Sequence, residues 1–241
     1  MSWYLDAGLA GAAFGLVAGA FTPEMIRPLP EPEHDPEEAA AFKEEEPKEL
    51  YADIAALPGL RWKAALASAV IAGLVAARLD FTWELLAVIG IVPVGVALFV
   101  IDVRTRYLPT WLMAPFYGVV VLVAGLAALQ RGEWDPLVAM LVGWVVYGGF
   151  FMLMWLLVPA GGLGYGDVRL AGLLGLALGL ISWGAFVLGM FSGILLGGVF
   201  ALVLLLARRK SHYPYGPYLL VGAVIGALYG PAFAQWYWPT A

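Results

Sequence analysis

Outside one acidic stretch, the 241-residue chain carries seven carboxylates: Asp6, Asp80, Glu84, Asp102, Glu133, Asp135 and Asp167. Five of these fall near the outer ends of apolar segments, where anchoring or hydration is the ordinary role. Asp102 and Asp167 differ. Asp102 ends the apolar run Val92–Ile101, and Asp167 opens another within Gly-Gly-Leu-Gly-Tyr-Gly-Asp-Val-Arg-Leu. Ionisable groups at membrane depth are costly and tend to be functional, although each alone also suits an interfacial cap. Two carboxylates brought together under an apolar roof share a proton. One then serves as general base on a water while the other donates a hydrogen bond to a substrate carbonyl.

Composition removes most other chemistries. The chain has no cysteine and only two histidines, His34 and His212. It therefore lacks a disulfide framework, a thiolate zinc site, a cysteine nucleophile and a Ser-His-Asp triad. No metal or cofactor is expected. A paired-aspartate hydrolase is nearly the only hydrolytic machinery left.

The acid at 167 follows four glycines in six residues: Gly161, Gly162, Gly164 and Gly166. Glycine-rich turns at helix starts often cradle phosphate, but this run lacks both the G-x-G-x-x-G spacing and a Gly-Lys-Ser/Thr ending. A carboxylate beside the amides would also repel phosphate. The loop instead suits close backbone approach, such as that of a substrate strand.

These residues need a scaffold in lipid. Hydrophobic residues make up 62% of the chain and charged residues 13%, against about 25% charged in ordinary soluble domains. The reading is an all-α polytopic membrane protein. A spanning helix needs roughly 20 mostly apolar residues, and eight stretches are expected to be transmembrane helices: 4–22, 63–79, 84–101, 110–129, 136–158, 168–182, 184–207 and 217–237. The first lacks a basic n-region and carries Asp6 early, so cleavage as a signal peptide is not expected.

With the N-terminus outside, the inner loops hold Arg27, Lys43, Lys48, Arg61, Lys63, Arg104, Arg106, Arg169, Arg208, Arg209 and Lys210, and the outer loops only Arg78 and Arg131. The positive-inside rule then puts both termini outside and both aspartates at the cytoplasmic face.

Charge is segregated. Residues 24–53 hold eleven of the eighteen acids and three bases, a net −8, while the rest of the chain is +3. The expected organisation is a first span over 1–22, a largely disordered acidic cytoplasmic linker over 23–62, and a membrane-embedded bundle over 63–241. The linker, rich in proline, is either a spacer or a means of concentrating a basic partner by long-range attraction. The stripes Gly11-Gly15-Gly19, Gly189-Gly193-Gly197 and Gly222-Gly226-Gly230 are expected to pack helices within one bundle rather than to drive dimerisation. Trp144, Trp155, Trp236 and Trp238 suit aromatic belts or bundle packing, and His212 an interfacial position. No nucleic-acid partner is expected.

Three blocks together resemble the prepilin peptidases (type IV leader peptidases), a family of GxGD intramembrane aspartyl proteases. The first is Ile101-Asp102-Val103-Arg104-Thr105-Arg106-Tyr107-Leu108-Pro109, similar to that family's first aspartate followed seven residues later by proline. The second is Gly161-Gly162-Leu163-Gly164-Tyr165-Gly166-Asp167-Val168-Arg169-Leu170, similar to GGxGxGDxK, with Arg169 in place of lysine. The third is Pro214-Tyr215-Gly216-Pro217-Tyr218, similar to P-[FY]-G-P-[FY]. Gly19, Phe21, Ile26, Leu29 and Pro30 match the family's N-terminal stretch more weakly, with Pro23 where asparagine is usual.

The resemblance implies that Asp102 and Asp167 are a catalytic pair, supported by Gly161, Gly162, Gly164, Tyr165, Gly166, Arg169, Pro109, Pro214, Gly216 and Pro217. It implies a bacterial inner-membrane enzyme whose partners are the basic leaders of prepilins or pseudopilins. Many members also carry a zinc-binding loop with two C-x-x-C pairs, associated with N-methylation of the mature pilin. This chain has the acidic linker there, so methyl transfer is not carried over. The alternatives are a presenilin-like protease, against which the Pro-Tyr-Gly-Pro block and Ile101 before the acid both argue, and a proton- or cation-coupled transporter, for which the two halves show no convincing inverted repeat.

Overall fold

The computed structural model describes residues 3–31, 49–157, 163–207 and 213–237. The described residues are helical throughout, with no strand. In chain order the helices are α1 (Leu5–Ala20), α2 (Thr22–Ile26), α3 (Tyr51–Ala55), α4 (Leu60–Leu79), α5 (Trp83–Val88), α6 (Ile91–Thr105), α7 (Thr110–Arg131), α8 (Asp135–Gly143), a π-helical turn (Trp144–Gly148), α9 (Gly149–Leu157), α10 (Tyr165–Ile181), α11 (Trp183–Leu206) and α12 (Gly216–Tyr237).

Among the described residues, six segments are long and apolar enough to cross a membrane: Leu60–Leu79, Trp83–Thr105, Thr110–Arg131, Asp135–Leu157, Trp183–Leu206 and Gly216–Tyr237. The other two predicted spans are helices of 16 and 17 residues, α1 and α10. At 1.5 Å per residue each is about 24–26 Å long, short of a hydrocarbon core of about 30 Å.

Local chemistry sets the helix ends. Thr82 caps α5 by accepting from the Leu85 amide at 3.3 Å, and Ser182 caps α11 by accepting from the Ala185 amide at 3.0 Å. Gly132, at φ 70°, ends α7 in the left-handed conformation that glycine adopts without strain.

The glycine stripes pack helices within the bundle, as expected from their spacing. A Cβ on Gly15 would lie 2.3 Å from the Ser68 carbonyl oxygen, so α1 rests directly on the α4 backbone. A Cβ on Gly222 would lie 2.4 Å from the Gly193 nitrogen, which sets α12 against α11 in the same way. Helix α1 thereby packs directly on α4.

At the centre runs α10, with thirteen of its 17 residues buried. Gly175 and Gly179 admit α8 to backbone distance: their Cβ positions lie 2.3 Å from the Gly143 oxygen and 2.5 Å from the Ala139 oxygen. A helix enclosed by its neighbours need not match the bilayer thickness, which accounts for the shortness of α10.

The ends of the acidic segment are helical, where a largely disordered linker over 23–62 was expected. Ile26, Tyr51, Ile54, Ala55 and Leu60 form a small apolar cluster against Ala97 and Ile101 of α6. The Glu31 carboxylate accepts from the amides of Tyr51 (2.9 Å) and Ala52 (3.3 Å), serving the otherwise unpaired N-terminus of α3. Ion pairs Arg61–Glu24 and Arg104–Glu49 (3.2 Å) fasten the segment further. Residues 32–48, with His34, lie outside the described residues.

Candidate active site

Asp102 lies within the last turn of α6, which continues to Thr105 beyond the apolar run. Arg106 ends the helix at φ 54°, its amide donating to the Asp102 carbonyl at 2.8 Å. A left-handed arginine costs roughly 1–2 kcal/mol, and the reversal it makes sends Tyr107, Leu108 and Pro109 back across the end of the bundle. Pro109 then precedes α7 in an extended conformation.

Leu108 is 4% exposed and sits between two glycines from the other blocks. A Cβ on Gly166 would lie 2.8 Å from the Leu108 Cβ, and one on Gly216 would lie 3.3 Å from its Cδ1. The close approach expected at the glycine-rich loop is thus made, at Gly166, by the chain's own Leu108.

Asp167 sits in the first turn of α10, not ahead of it, and its amide donates to the Gly164 carbonyl at 3.1 Å. Both carboxylates are enclosed, Asp102 at 3% and Asp167 at 8% exposure. Asp102 Oδ2 accepts from the Gly216 amide at 3.0 Å, at the N-terminus of α12, where the helix dipole also favours a negative charge. Asp167 Oδ1 is buried without a hydrogen-bond partner among the described residues. Leu108 links the two acids: Gly166, next to Asp167, packs on its Cβ, and Gly216, whose amide donates to Asp102, packs on its Cδ1. The structure therefore brings together three blocks whose residues Asp102, Asp167 and Gly216 lie 65 and 49 positions apart along the chain.

The supporting residues divide. Gly164 and Gly216 border the carboxylates, their Cβ positions lying 3.4 Å from Asp167 Oδ2 and 2.7 Å from Asp102 Oδ2, while Gly166 packs on Leu108 and Pro217 takes the second position of α12, where its missing N–H is harmless. Arg169 instead staples the α7 and α10 N-termini: its guanidinium donates to Thr110 Oγ1 and lies 4.4 Å from the Tyr165 ring centroid. The Tyr117 hydroxyl donates to the Arg169 carbonyl. Gly161 and Gly162 lie outside the described residues, as do Arg208, Arg209, Lys210, His212 and Trp238.

Of the two tyrosines beside Pro214, Tyr215 was read only as a member of the third block, and Tyr213 was not singled out from the sequence. Burial pushes the Tyr213 phenol up, with Tyr218 and Asp167 adding to the effect. Burial likewise pushes Tyr215 up to about 12, with Tyr213 and Asp167 adding. Both phenols thus remain neutral, and they donate to the Gly197 and Ile194 carbonyls of α11, at 3.4 and 3.5 Å. Thr110 and Tyr117 were missed as well, because contacts across 52–59 residues leave no local trace. Among the described residues, no three His, Asp or Glu side chains gather around one point.

Comparison with known proteins bears on this arrangement. A profile of the type IV leader peptidase family matches residues 89–202, which contain both aspartates. The prepilin leader peptidase/N-methyltransferase of Aeromonas salmonicida (strain A449) is 31% identical over 182 residues, covering 73% of this chain and 60% of that protein. This chain belongs to the type IV leader peptidase family. Family relatives of the same description in Aeromonas hydrophila and Pseudomonas aeruginosa are 30% and 29% identical, covering 71% of this chain in each case and 59% of each relative. The chain thus spans about three fifths of the length of the curated leader peptidases it matches. No solved structure matches it.

Proposed function

We propose that this chain is a membrane aspartyl endopeptidase that removes the short basic leader of type IV prepilins or pseudopilins. It acts at the cytoplasmic face of the bacterial inner membrane. The observation that carries the reading is that Asp102 and Asp167, on separate helices, are both buried and are linked through Leu108, on which Gly166 and Gly216 both pack. The count of eleven basic residues against two supports the cytoplasmic placement of that site. Family membership favours hydrolysis over the transport role that the same two acids could serve.

In this mechanism the dyad holds one proton. The ionised carboxylate takes a proton from water as its oxygen attacks the scissile carbonyl carbon, while the protonated carboxyl donates to the carbonyl oxygen. On collapse the C–N bond breaks, the leaving amine receives a proton, and the dyad regains its single proton. The Gly216 amide orients Asp102, and Asp167 Oδ1, buried without a hydrogen-bond partner among the described residues, is the oxygen left to bond water or substrate. The N-methyl transfer named for the relatives is no part of this proposal.

The test is reconstitution in detergent or lipid with a prepilin bearing its leader. Cleavage is expected from the unmodified chain and is lost in both Asp102→Asn and Asp167→Asn. Cleavage surviving either substitution overturns the dyad, because one carboxyl cannot serve as acid and base together.

A further inference from the structure

Of the apolar side chains between Asp102 and Pro109, Val103 and Tyr107 are 49% and 37% exposed, whereas Leu108 is 4% exposed. The turn that buries it is fixed on both sides. Thr105 Oγ1, itself enclosed, donates to the Ile101 carbonyl at 2.9 Å and accepts from the Tyr107 amide at 3.3 Å. The Arg106 amide donates to the Asp102 carbonyl at 2.8 Å. After Leu108, the ring of Pro109 holds φ at −68°, and the Pro109 carbonyl accepts from the Leu112 amide at 3.2 Å in the first turn of α7. Leu108 is thus mounted between the end of the helix that carries Asp102 and the start of the next.

What it touches sets Leu108 apart from an ordinary core leucine. Its Cβ, carbonyl oxygen and nitrogen lie 2.8, 3.3 and 3.4 Å from where a Cβ on Gly166 would stand, so the residue before Asp167 is seated on Leu108 itself. Its Cδ1 lies 3.3 Å from the same position on Gly216, whose amide holds Asp102. One end of a single side chain therefore meets the mount of each acid. Close-packed interiors transmit displacement through such contacts. We propose that Leu108 is a positioning residue that sets the spacing of the two aspartates, with the span from its Cβ to its Cδ1 holding their mounts apart. The inference rests on the endopeptidase reading above, since two carboxyl groups that share a proton and a water must be held to within about 0.5 Å. Leu108 supplies no group to the chemistry and acts only through Gly166 and Gly216.

The test shortens the side chain. Leu108→Ala keeps the Cβ beneath Gly166 and empties the side toward Gly216. Leu108→Val removes Cδ1 with less loss of volume, and Leu108→Met restores the reach with an unbranched chain of similar volume. Leu180→Ala is the control for lost packing: Leu180 is 5% exposed and lies at the far end of α10, about 20 Å along the axis from Asp167. Each variant is reconstituted with a prepilin, and kcat, KM and thermal unfolding are measured in one detergent. The expected result is a fall in kcat of about 100-fold in Leu108→Ala with KM little changed. Methionine should recover most of that loss, while Leu180→Ala lowers the melting temperature and retains kcat. If the alanine variant does not fold, the valine variant decides by the same kcat and KM criterion. Retained kcat in the shortened variants, or an equal fall in Leu180→Ala, overturns the assignment and leaves the peptidase reading intact. Absence of cleavage by the unmodified chain overturns that reading, and this assignment with it.

Discussion

The Gly216 amide donates a 3.0 Å hydrogen bond to Asp102 Oδ2, and a Cβ on Gly216 would lie 2.7 Å from that same oxygen. The third block of the sequence thus holds the first aspartate, across 114 residues of chain. Gly216→Ala places a methyl group against the carboxylate, with Leu108 Cδ1 behind it at 3.3 Å. The carboxylate must turn or α12 must shift. A displacement of about 1 Å in a catalytic group can cost about 100-fold in rate. The expected outcome is a fall in kcat of that order in prepilin cleavage, with KM less affected. Steady-state kinetics on reconstituted enzyme checks it.

Two other glycines should respond in opposite senses. A Cβ on Gly230 would lie 2.1 Å from Ala185 Cα, a backbone atom that cannot rotate away, so Gly230→Ala forces α11 and α12 apart. Overpacking of this kind costs about 1–3 kcal/mol or more. Gly118 is exposed on α7, with nothing within 4 Å of its Cβ position. Gly118→Ala should be neutral or stabilising by up to about 1 kcal/mol, since glycine in a helix interior is the weaker former. Thermal unfolding of both variants in one detergent separates them.

Much of this arrangement is legible in the chain because lipid demands continuous apolar runs. The predicted apolar stretches correspond to helices, and setting aside the acidic segment and the five acids near outer helix ends leaves Asp102 and Asp167 as the candidates. What hydropathy misses is where a helix ends, because it reports where water begins. Helix α6 passes through Asp102, Arg104 and Thr105 since a polar residue can continue a helix beyond the apolar core. Tyr51–Ala55 was hidden in the acidic segment because five residues are too few to show a period. The staple from Arg169 to Thr110 spans 59 residues and depends on the fold alone.

Arg169 is expected to act through position. Its guanidinium joins Thr110 at the start of α7 to Tyr165 at the start of α10, two residues from Asp167. Arg169→Ala removes a charge-assisted hydrogen bond worth about 1.5–3 kcal/mol and a cation–π contact worth about 0.5–1 kcal/mol. Arg169→Lys keeps a cation near the Tyr165 ring but loses the planar fork. Stability and kcat should therefore fall in the order arginine, lysine, alanine, with lysine restoring part of each. Equal loss in the lysine and alanine variants would show that the guanidinium fork, not its charge, carries the effect.

Tyr215 sets an expectation at high pH. Burial, with Tyr213 and Asp167 adding, pushes its phenol up to about 12, so the folded chain keeps this proton more firmly than the unfolded chain, where a phenol titrates near 10. The folded state then binds more protons between about pH 10 and 12, and stability must fall as pH rises through that window. Below about pH 10 both states are protonated and Tyr215 contributes no slope. Tyr215→Phe removes one such group, so the decline of melting temperature above pH 10 should become shallower, while the profile between pH 6 and 9 keeps its shape. Melting curves of the two proteins across that range in one detergent decide it, and an unchanged slope above pH 10 would place the Tyr215 phenol in open solvent.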